Sequence, residues 1–284
     1  MNRIPADVRI GTGLGLATNT YKQVLSSGEL SVRELIAWAA GRGFSWIELR
    51  DPDVEMTPEE LEAIHKLADD LGVRIHYAWD NTDTLSPDER FLKGMDNAAV
   101  FGPGTCCRVL IAPGAVSGHK GYTAGQMEMI IPVLKAYGKR AKELGIHLCF
   151  ENAMEPLFGD GETYFGMSEV LSAVPDICAT LDAANATGSA TLVNPCQEEI
   201  LNYYRSFRDQ IIYYHLKMTR HHTLLDTVEA EGDFSVKALF DAFSENPGMK
   251  ICLEIPQQPT LMKVMSCVER SLQVLEEIRK DSEQ

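Results

Sequence analysis

Four acidic or imidazole side chains lie at the ends of apolar, strand-like runs in the second half of the chain. They are Glu151 in F-E-N, Asp182 in L-D-A-A-N, His215 in Y-H-L-K and Glu254 in L-E-I-P. A carboxylate at the end of a buried run must reach solvent or meet a cation, because burying it unpaired costs on the order of several kcal/mol. Carboxylates with one imidazole suit Mn²⁺, Mg²⁺ or Co²⁺. We therefore predict one divalent metal ion, with Mn²⁺ as the first choice and Zn²⁺ as a further possibility.

The spacing of these four residues indicates the elements that position them. Successive residues are separated by roughly 30 to 40 positions, enough for one strand, one helix and two loops. One metal-type residue for each strand–helix unit is a pattern of parallel barrels, in which the carboxyl ends of all strands converge on one face. Four residues distant in sequence would then meet around a single ion.

Eight strand-like runs alternate with eight helical patterns along the whole chain. The predicted strands are 8–10, 46–49, 73–77, 108–111, 146–150, 177–181, 211–216 and 251–255. The predicted helices are 32–40, 58–71, 87–99, 124–144, 168–173, 195–207, 236–243 and 261–278. Strict alternation predicts parallel pairing, and eight units predict closure into a barrel. We expect an α/β fold consisting of a single (β/α)8 TIM barrel that forms one domain over residues 1–284.

Composition narrows the classes of partner. The formal net charge of −15 would repel phosphate backbones and anionic lipid, so we expect neither nucleic acid nor a membrane as partner. No secretory signal or window of membrane-spanning length is present in the sequence, which predicts a cytoplasmic protein. The seven cysteines include no C-x-x-C pair, so no disulfide framework is indicated. Cys149 and Cys252 are interpreted as small core residues.

A glycine-rich segment at residues 11–16, G-T-G-L-G-L, follows the first predicted strand. Its spacing differs from G-x-G-x-x-G, and no Lys-Ser/Thr pair follows, so a nucleotide cofactor is not supported. We interpret these glycines as a tight turn at the barrel rim.

The motifs resemble those of the xylose isomerase-like TIM barrels of the AP endonuclease family 2 superfamily. This group includes sugar isomerases, ketose 3-epimerases, inosose dehydratases and the endonuclease IV type of DNA repair enzyme, and the resemblance covers nearly the whole chain. It implies that Glu151, Asp182, His215 and Glu254 bind the metal and that Glu151 and Glu254 are also the acid/base pair. Glu48 in I-E-L-R is similar to the second-strand glutamate of the family and is expected to contact substrate.

Two positions depart from the family pattern. The family often has D-x-x-H and H-x-K-D, whereas this chain has Asn185 and Met218 at the final positions. Asn185 can bond a sugar hydroxyl, but it cannot act as a histidine acid/base. These departures and the acidic charge weigh against the DNA-repair branch, which needs further histidines for a three-zinc cluster.

Further residues are expected to contact substrate. Lys217 lies two residues beyond His215 on the same strand face, where its ammonium would polarise a substrate oxygen or form an ion pair with a carboxylate. Arg220 and His221 fall in the long loop after this strand, within reach of substrate or simply solvated. Trp79 follows the third predicted strand and would form an aromatic wall for a sugar ring or pack in the core.

Together these features predict a divalent-metal-dependent sugar isomerase or epimerase acting on a ketose-type substrate. Proton transfer would pass through a metal-stabilised enediolate, with Glu151 and Glu254 approaching opposite faces of the substrate. Two alternatives remain open: a lyase or dehydratase acting on a keto-sugar or inosose, including a C-glycoside-cleaving type, and a non-catalytic sugar-binding barrel. The expected partner is a small carbohydrate, and the family resemblance implies a homodimer or homotetramer.

Overall fold

A closed parallel barrel forms the centre of the computed structural model, which describes residues 13–50, 56–112, 121–153, 155–191 and 193–282. The strands in these segments are β1 (Leu14–Ala17), β2 (Trp46–Arg50), β3 (Arg74–Asp83), β4 (Cys106–Ala112), β5 (His147–Glu151), β6 (Cys178–Leu181), β7 (Ile211–Leu216), β8 (Thr219–Arg220), β9 (Thr223–Leu224) and β10 (Lys250–Leu253). The barrel order is β1-β10-β7-β6-β5-β4-β3-β2, and β8 pairs with β9 alone. The predicted (β/α)8 TIM barrel is confirmed.

Helices connect the barrel strands. They are α1 (Lys22–Ser26), α2 (Val32–Gly41), α3 (Pro58–Leu71), α4 (Glu89–Ala99), α5 (Ala124–Leu144), α6 (Met167–Ala173), α7 (Ala183–Thr187), α8 (Gln197–Phe207), α9 (Val236–Phe243) and α10 (Leu261–Ser282). Reciprocal capping explains sharp starts such as that of α3, where the Thr57 side chain accepts from the Glu60 amide and the Glu60 side chain accepts from the Thr57 amide. Within the described segments, no helix has both the length and the apolar composition needed to cross a bilayer.

The first barrel strand differs from the sequence-based prediction. The predicted strand at 8–10 lies outside the described residues, and the strand that the structure does describe, β1, includes part of the glycine-rich segment that we interpreted as a rim turn. A Cβ atom at Gly15 would collide with the Trp46 indole. Gly15 is therefore explained by the close approach of an aromatic ring to the backbone rather than by a turn.

Gly15→Ala is expected to lower the free energy of unfolding by about 1–3 kcal/mol, because the added methyl group overpacks the contact with Trp46. Denaturant unfolding would measure the change. Gly41→Ala is the matched control, since a Cβ at this helical position meets no atom within 4 Å. It should be stabilising by about 0.5–1 kcal/mol. Equal effects of the two substitutions would contradict the packing account.

Two short elements occupy segments that the sequence analysis left without structure. Helix α7 follows β6 directly, and the β8–β9 hairpin follows β7. At the hairpin turn His221 and His222 adopt left-handed conformations, with φ of 51° and 59°. Their amides donate to the two carboxylate oxygens of Asp233 at 2.8 and 2.7 Å. The Asp233 carboxylate thus stabilises a turn in which two non-glycine residues adopt the disfavoured left-handed conformation.

The barrel interior places a mainly apolar layer beneath a charged one. The lower layer consists of Ala17, Trp46, Cys106, Cys149, Tyr213 and Cys252. The residues two positions further along five of these chain segments are Glu48, Arg108, Glu151, His215 and Glu254. Because side chains alternate along a strand, these charged groups share the interior face and lie towards the carboxyl end of the barrel.

Candidate metal and active site

The structure brings the four predicted metal ligands together. Glu151, Asp182, His215 and Glu254 each offer one ligand atom, and these atoms all lie within 4.8 Å of one another. All four side chains are buried, with at most 4% of the residue surface exposed. Metal–oxygen bonds are about 2.0–2.6 Å long, so donors on opposite sides of one ion lie up to about 5 Å apart. The donor set therefore fits a single shared ion.

The orientation of His215 is set by carboxylates on both sides of its ring. Nδ1 lies 3.1 Å from Glu151 Oε1 and 3.1 Å from Glu254 Oε2, whereas Nε2 lies 2.7 Å from Glu48 Oε2. Nδ1 is thus the nitrogen that faces the other ligands. A carboxylate behind a ligating imidazole fixes the tautomer and the ring orientation.

Glu48 occupies a different place from the one that we expected. It is fully buried, it accepts from Tyr213 Oη at 2.7 Å, and it is not among the residues that line the cavity. Its carboxylate is held inside the barrel by Tyr213 and His215 from β7 and by Arg108 from β4. These contacts are those of a residue that supports the predicted ligand His215.

Asparagine amides orient both proposed acid/base carboxylates. Asn19 Nδ2 donates to Glu254 Oε1 at 2.8 Å. Asn185 Nδ2 donates to Glu151 Oε1 at 3.1 Å and to the Asn152 carbonyl at 3.0 Å. Asn185 lines the cavity, as its predicted substrate contact requires, and Asn19 also lines it. The sequence analysis missed Asn19, which lies in the 3₁₀ turn after β1.

Asp182 directly follows β6 and caps the helix that comes next. Its Oδ1 accepts from the Asn185 amide at 2.8 Å, which makes it the N-cap of α7. The side chain of Asn152 fixes the backbone of Asp182. Asn152 Nδ2 donates to the Asp182 backbone carbonyl, and Asn152 Oδ1 accepts from the Asp182 backbone amide, each at 2.8 Å. The asparagine of the F-E-N motif therefore positions a predicted ligand at the end of the neighbouring strand.

Arg108 is a charged site residue to which the sequence analysis gave no role. It is 1% exposed, with Nε 3.1 Å from Glu151 Oε2 and Nη2 3.6 Å from Glu48 Oε1. Burial alone would raise the pKa of Glu151, but the charges of Arg108 and His215 lower it to about 2. The sequence could have indicated this role, because Arg108 lies inside the apolar run C-C-R-V-L-I and a buried guanidinium needs carboxylate partners.

Lys217 forms the ion pair that we considered as the alternative to a substrate contact. Its Nζ lies 2.8 Å from Asp182 Oδ2 and 2.9 Å from Glu254 Oε2. Burial raises the pKa of Asp182 to about 7 despite the neighbouring ammonium, and the charge of Glu151 adds to this rise.

The charges of the cluster support the presence of a cation. The carboxylates are Glu48, Glu151, Asp182 and Glu254, and the permanent cations paired with them are Arg108 and Lys217. With a neutral imidazole the formal balance is two negative charges, which equals the charge of one divalent ion. Although burial lowers the pKa of His215, the surrounding carboxylates raise it well above its usual range. Buried charge of this kind is compensated by a proton or by a metal.

A cavity of about 400 Å³ opens above the cluster. Its lining includes Asn19, Glu151, Asn185, Lys217, Leu224 and Glu254. Arg50, at the end of β2, also lines it and forms an ion pair with Asp80. Carboxylates, amides and an ammonium thus converge on a concave space that would accommodate a small polar molecule.

Trp79 does not line this cavity. It is 7% exposed, lies on β3 and packs against Gly94 of α4, with the Arg90 guanidinium 6.0 Å from its ring centroid. It lies three residues beyond His76, whose ring packs against Trp46 in the barrel interior. Alternation therefore directs Trp79 outward, and the core-packing alternative describes its position.

Arg220 and His221 also lie away from the cavity lining, on the β8–β9 hairpin. Both are exposed, and Arg220 Nη2 lies 2.6 Å from Glu229 Oε2. The hairpin residues in the lining are instead Thr219 and Leu224. The hairpin pairing, which the sequence analysis did not predict, separates these two residues from the site.

The comparisons with known proteins agree with this architecture. The family model described as xylose isomerase-like TIM barrel matches residues 36–278. The chain belongs to this family. A comparison with curated proteins found no match.

Solved structures share the family fold at low sequence identity. A D-tagatose 3-epimerase-like protein superimposes with a TM-score of 0.66 at 16% identity, covering 96% of this chain and 100% of that one. D-psicose 3-epimerase from Clostridium cellulolyticum H10, solved with D-tagatose, gives 0.65 at 12%, with 94% and 98% covered. The IOLI protein, solved with a zinc atom, gives 0.63 at 15%, with 95% and 97% covered. At these identities the likeness shows the fold.

Proposed function

We propose that this protein is a divalent-metal-dependent sugar isomerase or epimerase that transfers a proton on a ketose-type substrate. The observation that supports the proposal is the buried convergence of three carboxylates and one imidazole, with ligand atoms within 4.8 Å of one another, beside a polar cavity. The sugar epimerases among the structural neighbours are consistent with this choice of reaction.

The metal would be held by Glu151, Asp182, His215 and Glu254. Mn²⁺ is our first choice because three carboxylates and one imidazole make a borderline to hard donor set, and the zinc of the IOLI structure makes Zn²⁺ a second one to test. A bound ion would supply positive charge beside the substrate oxygens, where negative charge develops as the proton leaves.

The proton would be moved by two carboxylates on opposite sides of the cavity. Glu151 ends β5 and Glu254 follows β10, and β6 and β7 separate these strands in the barrel. Burial raises the pKa of Glu254, but Lys217 and His215 lower it well below its usual range, so this carboxylate is held ionised. One glutamate would take the proton from a substrate carbon and the other would return it, which inverts that carbon.

Solvent isotope exchange tests the proposal. The holoprotein would be incubated in deuterated water with ketohexoses and, separately, with keto-inositols, and followed by NMR. Deuterium incorporated into a sugar that keeps its atoms would support isomerisation or epimerisation. Loss of water or an aglycone would favour the lyase alternative. If no candidate sugar incorporates deuterium, the proton-transfer proposal is wrong.

Metal content separates the enzyme from a non-catalytic sugar-binding barrel. We expect the purified protein to contain about one divalent ion per chain, its removal by EDTA to abolish isotope exchange, and Mn²⁺ to restore it. Metal analysis and exchange measured on the same samples would check this. A metal-free protein that still binds sugar would contradict a catalytic metal and favour the binding barrel.

Asn19→Ala is expected to lower kcat for isotope exchange by roughly 10- to 100-fold, with a smaller change in KM, because Glu254 loses the amide that orients it. Asn202→Ala is a matched control, since this asparagine is exposed on α8 and bonds only Arg205 among the contacts described. Unchanged kcat in the Asn19 variant would show that Glu254 does not need this contact.

A further inference from the structure

Thiols gather at the amino end of the barrel, outside the proposed active site. Cys106 begins β4, Cys149 lies in β5 and Cys178 begins β6, and all three are free cysteines. Cys149 and Cys178 are directly paired residues on neighbouring parallel strands, and Cys106 is paired in the same way with His147. Paired residues point to the same face of a sheet, so these side chains lie together.

The pairing of Cys149 with Cys178 meets the requirements of a disulfide. Neighbouring strands lie about 4.8 Å apart, within the Cα separation of roughly 4.4–6.8 Å that disulfides span. The directly paired register therefore brings the two side chains together, and the link would need no rearrangement of the strands.

The surroundings of Cys178 make it the reactive member of the pair. Cys149 is completely buried, whereas Cys178 is partly exposed and is hydrogen-bonded by the exposed His147 side chain. Interaction with Cys149 is the largest cause that lowers the pKa of Cys178. Burial raises this pKa, but His147 and Lys250 lower it further, to about 5. A partly exposed thiol beside cationic groups is the usual setting of a reactive cysteine.

We propose that Cys178 is a site of oxidation by hydrogen peroxide and that it then forms a disulfide with Cys149. In the first step the Cys178 thiolate attacks one peroxide oxygen, the O–O bond breaks, and sulfenic acid and hydroxide form. In the second step the Cys149 sulfur attacks the sulfenic sulfur, the S–O bond breaks, and hydroxide leaves with the proton of Cys149 as water. Two thiols and one peroxide thus give one disulfide and two waters.

Peptide mapping of the oxidised full-length protein tests this proposal. The metal-loaded protein would be treated with stoichiometric hydrogen peroxide, its remaining thiols alkylated, and the digest analysed by mass spectrometry with and without dithiothreitol. We expect a linked peptide pair containing Cys149 and Cys178 that dithiothreitol separates. A Cys106–Cys149 link, or no link at all, would overturn the proposal.

Variants identify the order of the two steps. Cys178→Ser should slow the loss of thiols to peroxide at least about tenfold. Cys149→Ser should leave Cys178 as a sulfenic acid that dimedone traps. Cys196→Ser is the matched control, because Cys196 is exposed and lies outside the thiol group, and the linked pair should form at the wild-type rate. If Cys196 reacts faster than Cys178, the proposed reactivity is wrong.

Discussion

Glu254→Gln is expected to lower the rate of isotope exchange by roughly 10²–10⁴-fold, even at saturating Mn²⁺. The amide that replaces the carboxylate cannot take or return a proton, and it removes the negative charge that faces Lys217 and His215. Metal affinity should fall as well, because one of the four donors is lost. Exchange rates measured over a Mn²⁺ titration would separate the loss of the base from the loss of the metal.

Glu269→Gln provides the matched control for this substitution. Glu269 lies on α10 with 42% of its side chain exposed and Arg42 as its ion-pair partner, so the same chemical change there should leave both exchange and metal content unaltered. Wild-type exchange in the Glu254 variant at saturating Mn²⁺ would exclude this residue as an acid or base.

Arg108→Met is expected to destabilise the metal-free protein by about 3–5 kcal/mol. The substitution keeps the approximate length of the side chain but removes the cation that lies beside Glu48 and Glu151, leaving two buried carboxylates without their partner. Denaturant unfolding of the EDTA-treated wild type and variant would measure the difference. Added Mn²⁺ should recover part of the loss, because a bound ion replaces some of the missing positive charge.

The control for this prediction is Arg140→Met. Arg140 lies on α5 with 40% of its side chain exposed and its Nη2 2.6 Å from Asp96 Oδ1, and breaking such a surface pair should cost at most about 1 kcal/mol. Arg108→Lys should recover part of the stability, since it restores the charge without the planar donors. Equal unfolding midpoints for the Arg108→Met and wild-type proteins would show that this guanidinium is not needed by the cluster.

The sequence predicted the barrel and the meeting of the four proposed ligands for one physical reason. Alternating strand and helix patterns determine parallel closure, and closure gathers the strand ends on one face. Each ligand could therefore be placed from its position at the end of an apolar run, without knowledge of any distance. Helices α3, α5 and α9 have the predicted bounds because strong periodicity and caps mark both ends.

Contacts between distant strands could not be predicted in the same way. The role of Arg108 depends on carboxylates from β2 and β5, and that of Asn19 depends on a residue after β10. The residues near Arg108 or Asn19 in the sequence do not indicate which distant strand supplies the partner. Trp79 is a different case, since counting from His76 along one strand would have directed it outward.

Asp182 and Glu254 share one cationic partner. Asp182 Oδ1 accepts from the backbone amide of Asn185 and Glu254 Oε1 accepts from Asn19, while Lys217 Nζ lies 2.8 Å from Asp182 Oδ2 and 2.9 Å from Glu254 Oε2. The ammonium of Lys217 would therefore compete with any metal ion for the second oxygen of both carboxylates. An ion held by Asp182 and Glu254 would share or displace this ammonium, which could then turn toward a substrate oxygen in the cavity that it lines.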